Sequence, residues 1–403
     1  MKRINNKLKL VATIVFCGMF LAIIRAYFSA TLLGDVYPWN TFLFLPGDRF
    51  MDLFNMSLIC STNDPYFTTT PFASNYFPVA NTIFYWFSLI ENRVWMMVAF
   101  QGIFLMVYIP VLKKLFQDQW RSHFLEIIIV FVFSYPVLYN TDRQNIELYN
   151  FLCCLLWVYF KEKDKSFLAV FFLALSISMK LYTAVFAIIY IKDMKLKELT
   201  VLMSIVAVLT LLSASTFKGG VMNNIFQMMS VQKEFTQEYT SVPRYLHFNH
   251  SLFSLIMISI TAVFKVWEDP VRYQEITAQI LLPYTFLTMA IFGLVAFAVI
   301  RKKMDPWMDY FLLTALFLLL PHISYDYKLI FLLIPLYYFL KEEKEYGLLT
   351  RLFCIGFGLV LIPHNYYYVH EDVSVAAFIV PSLLMAMMFL ILFTAKSPVR
   401  AKT

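Results

Sequence analysis

The chain has 403 residues, of which 60% are hydrophobic and 15% are charged, and its formal net charge is +7. Soluble domains average about 45–50% apolar and about 25% charged residues, so this composition, with a mean hydropathy of +0.67, excludes a soluble enzyme, a disordered chain and a single-anchor protein. We therefore predict an all-α, polytopic membrane protein that forms a single domain over 1–403.

Apolar runs long enough to cross a bilayer, divided at charged clusters, predict about twelve transmembrane helices. Four of them are short and are expected to be tilted, broken or extended differently, namely those near 146–160, 166–179, 181–191 and 327–340. In chain order, the predicted helices cover 9–32, 94–112, 123–139, 146–160, 166–179, 181–191, 198–217, 277–300, 307–323, 327–340, 349–363 and 373–395.

The positions of Lys and Arg predict the orientation of these helices. Basic residues concentrate in every second connecting segment, as they do in the cytoplasmic loops of membrane proteins. Both termini are therefore predicted to be cytoplasmic, and the positive charge requires no nucleic-acid partner. The basic residues of these segments are Lys2, Arg3, Lys7 and Lys9; Lys113, Lys114 and Arg121; Lys161, Lys163 and Lys165; Lys192, Lys195 and Lys197; Arg301, Lys302 and Lys303; Lys341, Lys344 and Arg351; and Lys396, Arg400 and Lys402.

Two long segments, 33–93 and 218–276, lie on the opposite, extracytoplasmic side in this prediction. Each contains an apolar run, Val79–Ile90 or Leu252–Val266, that is too short or too polar to cross the bilayer comfortably. We interpret these runs as interfacial or re-entrant helices. Any chemistry is therefore expected outside the cytoplasm.

The first long loop contains two acidic residues, Asp48 and Asp52, four positions apart. On a helix this spacing places both side chains on one face. A carboxylate beside apolar aromatic residues at a membrane surface can have its protonation tuned for general-base chemistry. Two alternatives stay open: both residues are solvated loop acids, or Asp48 caps a helix that begins at Arg49.

A dense polar cluster, Asp142-Arg143-Gln144-Asn145 followed by Glu147, interrupts the apolar sequence between the third and fourth predicted helices. Arg is well suited to bidentate recognition of a phosphate or a carboxylate. The alternative is a hydrated loop with a local Asp142–Arg143 pair.

Lys180 stands alone between two apolar runs at the predicted outer side, against the usual distribution of basic residues. Ionisable groups at membrane depth are costly and are usually functional; the alternative is a side chain that extends to the interface. Lys328, near Asp326 in the segment 321–336, also lies on the predicted outer side, against the usual distribution of basic residues. The alternative is a local ion pair between Asp326 and Lys328.

The segment 247–256 carries Asn249 and His250 just before an apolar run. Either Asn249 or Ser251 is suited to cap the helix that follows. His250 lacks further ligands at metal-binding spacing, so we predict no metal site there.

These polar groups share the same predicted side of the membrane, at the mouths of successive helices. The carboxylates of the first loop, together with Arg143, Lys180 and Lys328, suit a cavity that receives a lipid phosphate. No P-loop, Rossmann glycine pattern, HExxH or GxSxG motif occurs in the sequence. A sugar donor that needs no nucleotide site therefore fits better, and no cofactor is predicted.

The motifs that carry these residues resemble those of the GT-C glycosyltransferases, and most of all glycosyltransferase family 87, the polyprenol-phosphate-mannose α-mannosyltransferases. The resemblance runs in family order across about 45–335. The matching stretches are DRFMDLFN, NDPY, NYFPV, DRQNIELYNFL, LALSISMKLYTAVF, NHSL, and SYDYKL with a following IPL.

This resemblance implies a GT-C-like fold and an inverting transfer of a hexose, with mannose expected, from a polyprenyl-phosphate carrier to an extracytoplasmic glycolipid or polysaccharide in a plasma (inner) membrane. By resemblance, Asp52 is the general base, with Asp48 as second choice, and no metal ion is needed. Donor-phosphate contacts are expected from Arg143, Lys180 and Lys328, and further substrate contacts from Asn145, Glu147, Tyr182, Asn249, His250, Asp326 and Tyr327.

Two other functions stay open at this point. A flippase for lipid-linked sugars would need a polar path through the helices, and it would move its cargo without forming a covalent product. A surface-polysaccharide polymerase would use diphosphate-linked donors, so donor specificity distinguishes it from the transferase.

Overall fold

The computed structural model describes residues 2–68, 72–246, 248–267, 269–343, 347–364, 368–370 and 373–394. These residues form helices, short 3-10 or π turns and one small antiparallel pair of strands, β1 (Tyr368–His370) and β2 (Val373–Ser374). The helices are α1 (Lys2–Phe28), α2 (Met51–Ser61), α3 (Pro78–Ser88), α4 (Arg93–Leu115), α5 (Phe124–Phe131), α6 (Tyr135–Arg143), α7 (Glu147–Glu162), α8 (Ser166–Met179), α9 (Ile188–Lys192), α10 (Leu196–Ser215), α11 (Val221–Ser241), α12 (Leu252–Phe264), α13 (Pro270–Arg301), α14 (Pro306–Leu319), α15 (Leu333–Lys341), α16 (Leu348–Val360) and α17 (Ala376–Thr394).

Within the described ranges, five helices are long and apolar enough to cross a membrane: α1 with the turn that follows it, α4, α10, α13 and α17. A sixth span results if α5 and α6, which are bent by 55° relative to each other, cross together. The chain is therefore a multi-pass membrane protein. Twelve spans, the side of each loop and the GT-C-like arrangement stay predictions, and Lys344, Lys396, Arg400 and Lys402 lie outside the described residues.

The bend between α5 and α6 falls within the predicted continuous helix over 123–139. Pro136 has no N–H to donate to the helical ladder. The N–H of Tyr135 donates to the carbonyl of Leu361 at 3.0 Å, away from the helix axis. Two adjacent backbone donors are therefore missing from the hydrogen bonds of the helix, and the helix breaks there.

Two of the four short predicted helices are broken, which is one of the three outcomes that we considered for them. Residues Leu181–Ala187 and Asp326–Leu332 form 3-10 turns that lead into α9 and α15. In the two long loops, helices α3 and α12 occupy the apolar runs that we interpreted as interfacial. The same loops also contain α2 and α11; the latter has a largely polar sequence that gave no apolar signal.

The chain divides into two compact units. The first comprises Met1–Leu45, His123–Leu138 and Glu238–Thr403, and the second comprises Pro46–Ser122 and Tyr139–Gln237. In the first unit α14 is the core helix: every residue from Trp307 to Leu319 is buried, and it packs against α13, α15 and α17. Because most of its residues are apolar on every side, the helix must be covered on every side, and the other helices assemble around it.

Close packing of α1 on α16 in the first unit depends on glycines. A Cβ added at Gly358 would lie 2.7 Å from Cγ2 of Ile14, and Gly18 faces Ile362 in the same way. Small residues let helix backbones approach closely, and this is the usual basis of helix association in membranes.

The core helix of the second unit is α7, which packs against α4 and α8. Its buried residues include Glu147 and Asn150 beside the expected apolar ones. Buried polar groups require hydrogen-bond partners, so the amino-terminal end of α7 is where a polar network is expected.

Candidate functional site

The first loop delivers its acidic residues to the second unit through a short irregular segment. Residues Pro46–Asp48 form a 3-10 turn, and α2 begins at Met51 after Phe50, whose backbone φ is +62°. The N–H of Phe50 donates to the carbonyl of Asp142 at 2.8 Å. This hydrogen bond holds the start of α2 against the end of α6.

The polar cluster of the sequence forms the turn between α6 and α7. Arg143 is the last residue of α6, and Gln144 has φ of +49°. The side chain of Gln144 donates to the carbonyl of Met97 at 3.1 Å, and Oδ1 of Asn145 accepts from the N–H of Glu147 at 3.0 Å. Both bonds fix the turn, so Arg143 and Asn145 are presented from a rigid backbone.

Arg143 joins both acidic residues of the first loop. Its Nη1 donates to Oδ2 of Asp48 at 2.7 Å, and its Nη2 donates to Oδ1 of Asp52. Asn145 donates from Nδ2 to the other oxygen of Asp52 at 2.6 Å. Both carboxylate oxygens of Asp52 are therefore engaged. Its side chain is 14% exposed, whereas that of Asp48 is 36% exposed.

A second ion pair lies beside this group. Nε of Arg49 is 2.9 Å from Oδ1 of Asp142, and the Arg49 side chain is 52% exposed. In place of the local Asp142–Arg143 pair considered as an alternative, Asp142 pairs with Arg49, and Arg143 pairs with the acids of the first loop. The helix cap considered for Asp48 is wrong, because the residue before α2 is Phe50.

Lys180 lies at the break between α8 and the following 3-10 turn, in the same unit. Its Nζ is 3.9 Å from Oε1 of Glu147 and 3.7 Å from the centre of the Tyr76 ring. The ammonium group of Lys180 is therefore placed between a carboxylate and an aromatic face, both of which attract a cation.

Glu147 is the buried centre of this second group. Its Oε2 accepts hydrogen bonds from the hydroxyl of Tyr182 and from Nδ2 of Asn150, the latter at 3.0 Å. Asn150 continues the network through Oδ1, which accepts from the hydroxyl of Ser176 at 2.6 Å. Because every step is satisfied within the unit, the network fixes the carboxylate that faces Lys180.

The remaining predicted site residues belong to the first unit. Asn249 donates to the carbonyl of His322 at 2.7 Å and accepts from the N–H of Ser324 at 2.9 Å. Ser251, one of the two residues that we considered as a cap for the following helix, caps α12: its hydroxyl accepts a hydrogen bond from the N–H of Ser254 at 3.0 Å. These bonds join the segment before α12 to the segment after α14.

His250 and Asp326 form a buried pair through Nε2 and Oδ1, and the second oxygen of Asp326 accepts from the hydroxyl of Tyr135. His250 is 1% exposed and Asp326 is fully buried. Next to them, Tyr327 is half-buried, and Nζ of Lys328 donates to the carbonyl of Ile323 at 3.1 Å.

The structure thus assembles Asp48, Asp52, Arg143, Asn145, Glu147, Lys180 and Tyr182 in the second unit, and Asn249, His250, Asp326, Tyr327 and Lys328 in the first. Sequence reasoning missed Arg49, Tyr76 and Tyr135 as partners. Arg49 follows Asp48 directly in the sequence, and this position was the strongest available indication that its side chain belongs to the group. Tyr76 lies in the matching stretch NYFPV but was not singled out as a partner, and Tyr135, one of 25 tyrosines in the chain, carried no signal.

Among the described residues, no group of three or more His, Cys, Asp or Glu side chains has an arrangement that could hold a metal ion. The polar groups of the second unit are instead ordered as alternating anions and cations. Such an arrangement can orient a carboxylate toward a hydroxyl and offers cations to an anionic ligand.

Comparison with known protein families gives one finding. The family model described as Glycosyltransferase family 87 matches residues 72–321, more than half of the chain. The matched region contains Arg143 and Lys180, while Asp48 and Asp52 precede it and Lys328 follows it. No curated protein and no solved structure matches the chain significantly.

Proposed function

The chain belongs to glycosyltransferase family 87, and from this premise we propose that it transfers a hexose, with mannose as the first candidate, from a polyprenyl-phosphate carrier. The acceptor is a glycolipid or polysaccharide outside the cytoplasm, and the membrane is a plasma (inner) membrane. The proposed reaction inverts the anomeric configuration.

One observation carries this proposal: Asp52 is held by Arg143 and Asn145 through both of its oxygens. A carboxylate fixed in this way keeps a defined direction. An oriented carboxylate within reach of the acceptor hydroxyl is what a general base requires. Asp48 is more exposed and, among the side-chain contacts described above, meets Arg143 alone, so Asp52 is the favoured base.

In the proposed step, the acceptor hydroxyl oxygen attacks the anomeric carbon of the donor while its proton passes to Asp52. The bond between the anomeric carbon and the phosphate oxygen breaks, and the phosphate leaves with the bonding electron pair. Attack from the side opposite the leaving group converts a β-linked donor into an α-linked product.

The leaving phosphate gains negative charge as the bond breaks, and cations stabilise that charge. Arg143 and Lys180 of the second unit are proposed for this role, and Lys328 of the first unit stays a prediction from the resemblance. In the proposed reaction these side chains take the part that a divalent ion plays elsewhere.

Arg143 is shared between two carboxylates, so a phosphate has to compete for it. Of the two, Asp48 is the more exposed partner and the more easily displaced. We propose that donor binding replaces Asp48 on Nη1 while Nη2 continues to hold Asp52. The remaining proposed substrate contacts in the second unit are Glu147 and Tyr182. The contacts expected in the first unit stay predictions from the resemblance, namely Asn249, His250, Asp326 and Tyr327.

The experiment is a transfer assay with the purified full-length chain, synthetic polyprenyl-phosphate mannose and a lipid-linked glycan acceptor. We expect an α-linked product from this donor and none from a nucleotide-linked or polyprenyl-diphosphate-linked mannose. Transfer from the diphosphate donor alone would contradict the proposed donor class, and a β-linked product would contradict inversion.

A further inference from the structure

A groove of about 140 Å³ lies among α13, α14 and α17 in the first unit, and every residue that lines it is apolar. Its floor is formed by Ala315 and Leu316 of α14, which are buried. Its walls include Leu294 of α13 and Phe389 of α17, which are 70% and 52% exposed. The groove therefore opens away from the core of the unit.

The surface onto which the groove opens belongs to two of the helices that are long and apolar enough to span a membrane, α13 and α17. In α13 as little as 11% of the most apolar stretch is buried within the protein. Such a surface faces lipid, and an apolar groove without polar partners does not hold ordered water. Hydrocarbon is the medium that fills it.

One end of the groove is basic. Leu392 lines the groove, and its carbonyl accepts a hydrogen bond from Nζ of Lys302 at 2.8 Å. Arg301 and Lys303 flank Lys302 and are exposed. Val295, another lining residue, is six positions before Arg301, or roughly 9 Å along the helix.

The charge at this end is net positive. The segment from the last residue of α13 to the residue before α14 reads Arg-Lys-Lys-Met-Asp, in which Asp305 is the single acid. Basic residues next to membrane-spanning helices attract the headgroups of anionic lipids. An apolar groove that ends at such a cluster matches a lipid tail and its headgroup together.

We propose that this groove binds one acyl chain of an anionic phospholipid, whose phosphate lies against Arg301 and Lys303. Lys302 stabilises the end of the groove by bonding to the backbone of α17. The proposal does not depend on glycosyl transfer, because all of its residues lie outside the polar groups described above.

The test is native mass spectrometry of the full-length chain in micelles that contain phosphatidylglycerol and phosphatidylethanolamine in equal amounts with the same acyl chains. We expect one phosphatidylglycerol to be retained with a preference of about fivefold or more over phosphatidylethanolamine. In the double variant Arg301→Gln/Lys303→Gln this preference should disappear. A preference that persists in that variant would overturn the proposal.

Two further variants separate the groove from the basic cluster. Ala315→Leu places a larger side chain on the floor, and Phe389→Ala removes an exposed wall without touching the core. Each should reduce the retained lipid severalfold, and unchanged retention in both would overturn the acyl-chain part.

The matched control is Lys113→Gln/Lys114→Gln, which removes two basic residues from the end of another membrane-spanning helix, α4. It should keep the wild-type preference, whereas an equal loss would mean that charge alone attracts the lipid. Adding a polyprenyl phosphate supplies the last outcome. If it displaced phosphatidylglycerol from wild type but did not bind to Ala315→Leu, the occupant would be a prenyl chain, and the proposal would fall.

Discussion

At the scale of single residues, the central feature is an arginine that serves two carboxylates. Arg143 uses one terminal nitrogen for Asp48 and the other for Asp52. The planar guanidinium makes this geometry possible, since its donors point in fixed directions. Lysine carries the same charge but concentrates it at one atom, so it cannot reproduce both contacts in the same orientation.

We therefore expect Arg143→Lys to lower kcat/KM by about 10- to 100-fold while the protein still folds. The matched control is Arg49→Lys, because Arg49 pairs with Asp142 and is itself 52% exposed, so a lysine can keep the positive charge opposite that carboxylate. The control should stay within about threefold of wild type. Steady-state kinetics of mannosyl transfer measures both, and equal losses in the two variants would remove the special role of Arg143.

Sequence reasoning identified the residue types of this group but not their pairings. The acids of the first loop and Arg143 were expected together because both interrupt apolar sequence on the same predicted side. The contact joins positions 91 residues apart for Asp52 and 95 apart for Asp48. No local pattern encodes which carboxylate meets which nitrogen, so these pairings required the structure. The preference for Asp52 over Asp48 as the base came from the family resemblance and stays a prediction.

At the scale of helices and turns, the site lies where regular structure breaks. Phe50 and Gln144 both have positive φ, a conformation in which residues other than glycine are uncommon. Neither residue type signals a left-handed turn, so the sequence did not predict these breaks. By contrast, Lys180 did mark the end of α8, because a lone cation within an apolar stretch was already unexpected.

Helix packing in the first unit gives a prediction about stability. Gly358→Ala should lower the thermal midpoint of the detergent-solubilised protein, since the added methyl group meets Ile14 and overpacking costs about 1–3 kcal/mol. The matched control is Gly293→Ala in α13, where an added Cβ meets nothing within 4 Å. That variant should leave the midpoint unchanged or raise it slightly, because alanine stabilises helices relative to glycine by about 0.5–1 kcal/mol. A midpoint for Gly358→Ala equal to that of the control would contradict the close packing of α1 on α16.

At the scale of the whole molecule, the predictions that were confirmed came from composition and motifs. The apolar fraction predicted a multi-pass helical membrane protein, and the motifs predicted glycosyltransferase family 87; both predictions are confirmed. The number of spans was harder to predict, because several apolar runs form helices of 10–17 residues. A helix of that length is compatible with a tilted, a broken or an interfacial segment, and hydropathy does not distinguish these cases.

The predicted orientation leads to a labelling experiment. Single cysteines introduced at Glu91 and Glu234, in the two long loops, should react with a membrane-impermeant maleimide in intact cells. Cysteines introduced at Lys163 and Lys303, in the basic segments, should react after permeabilisation alone. The chain without introduced cysteines is the control for labelling of the native cysteines, four of which are buried. The reverse pattern would place the polar groups of the second unit on the cytoplasmic side.

The most direct measurement is the single-turnover rate of mannosyl transfer in Asp52→Asn beside Asp48→Asn, with donor and acceptor saturating. If Asp52 is the base, its variant loses about 10²- to 10⁴-fold in rate. Asp48→Asn should stay within about threefold of wild type and bind the donor more tightly, because one negative charge beside Arg143 is removed. A wild-type rate in Asp52→Asn, or the larger loss in Asp48→Asn, would contradict the assignment of Asp52.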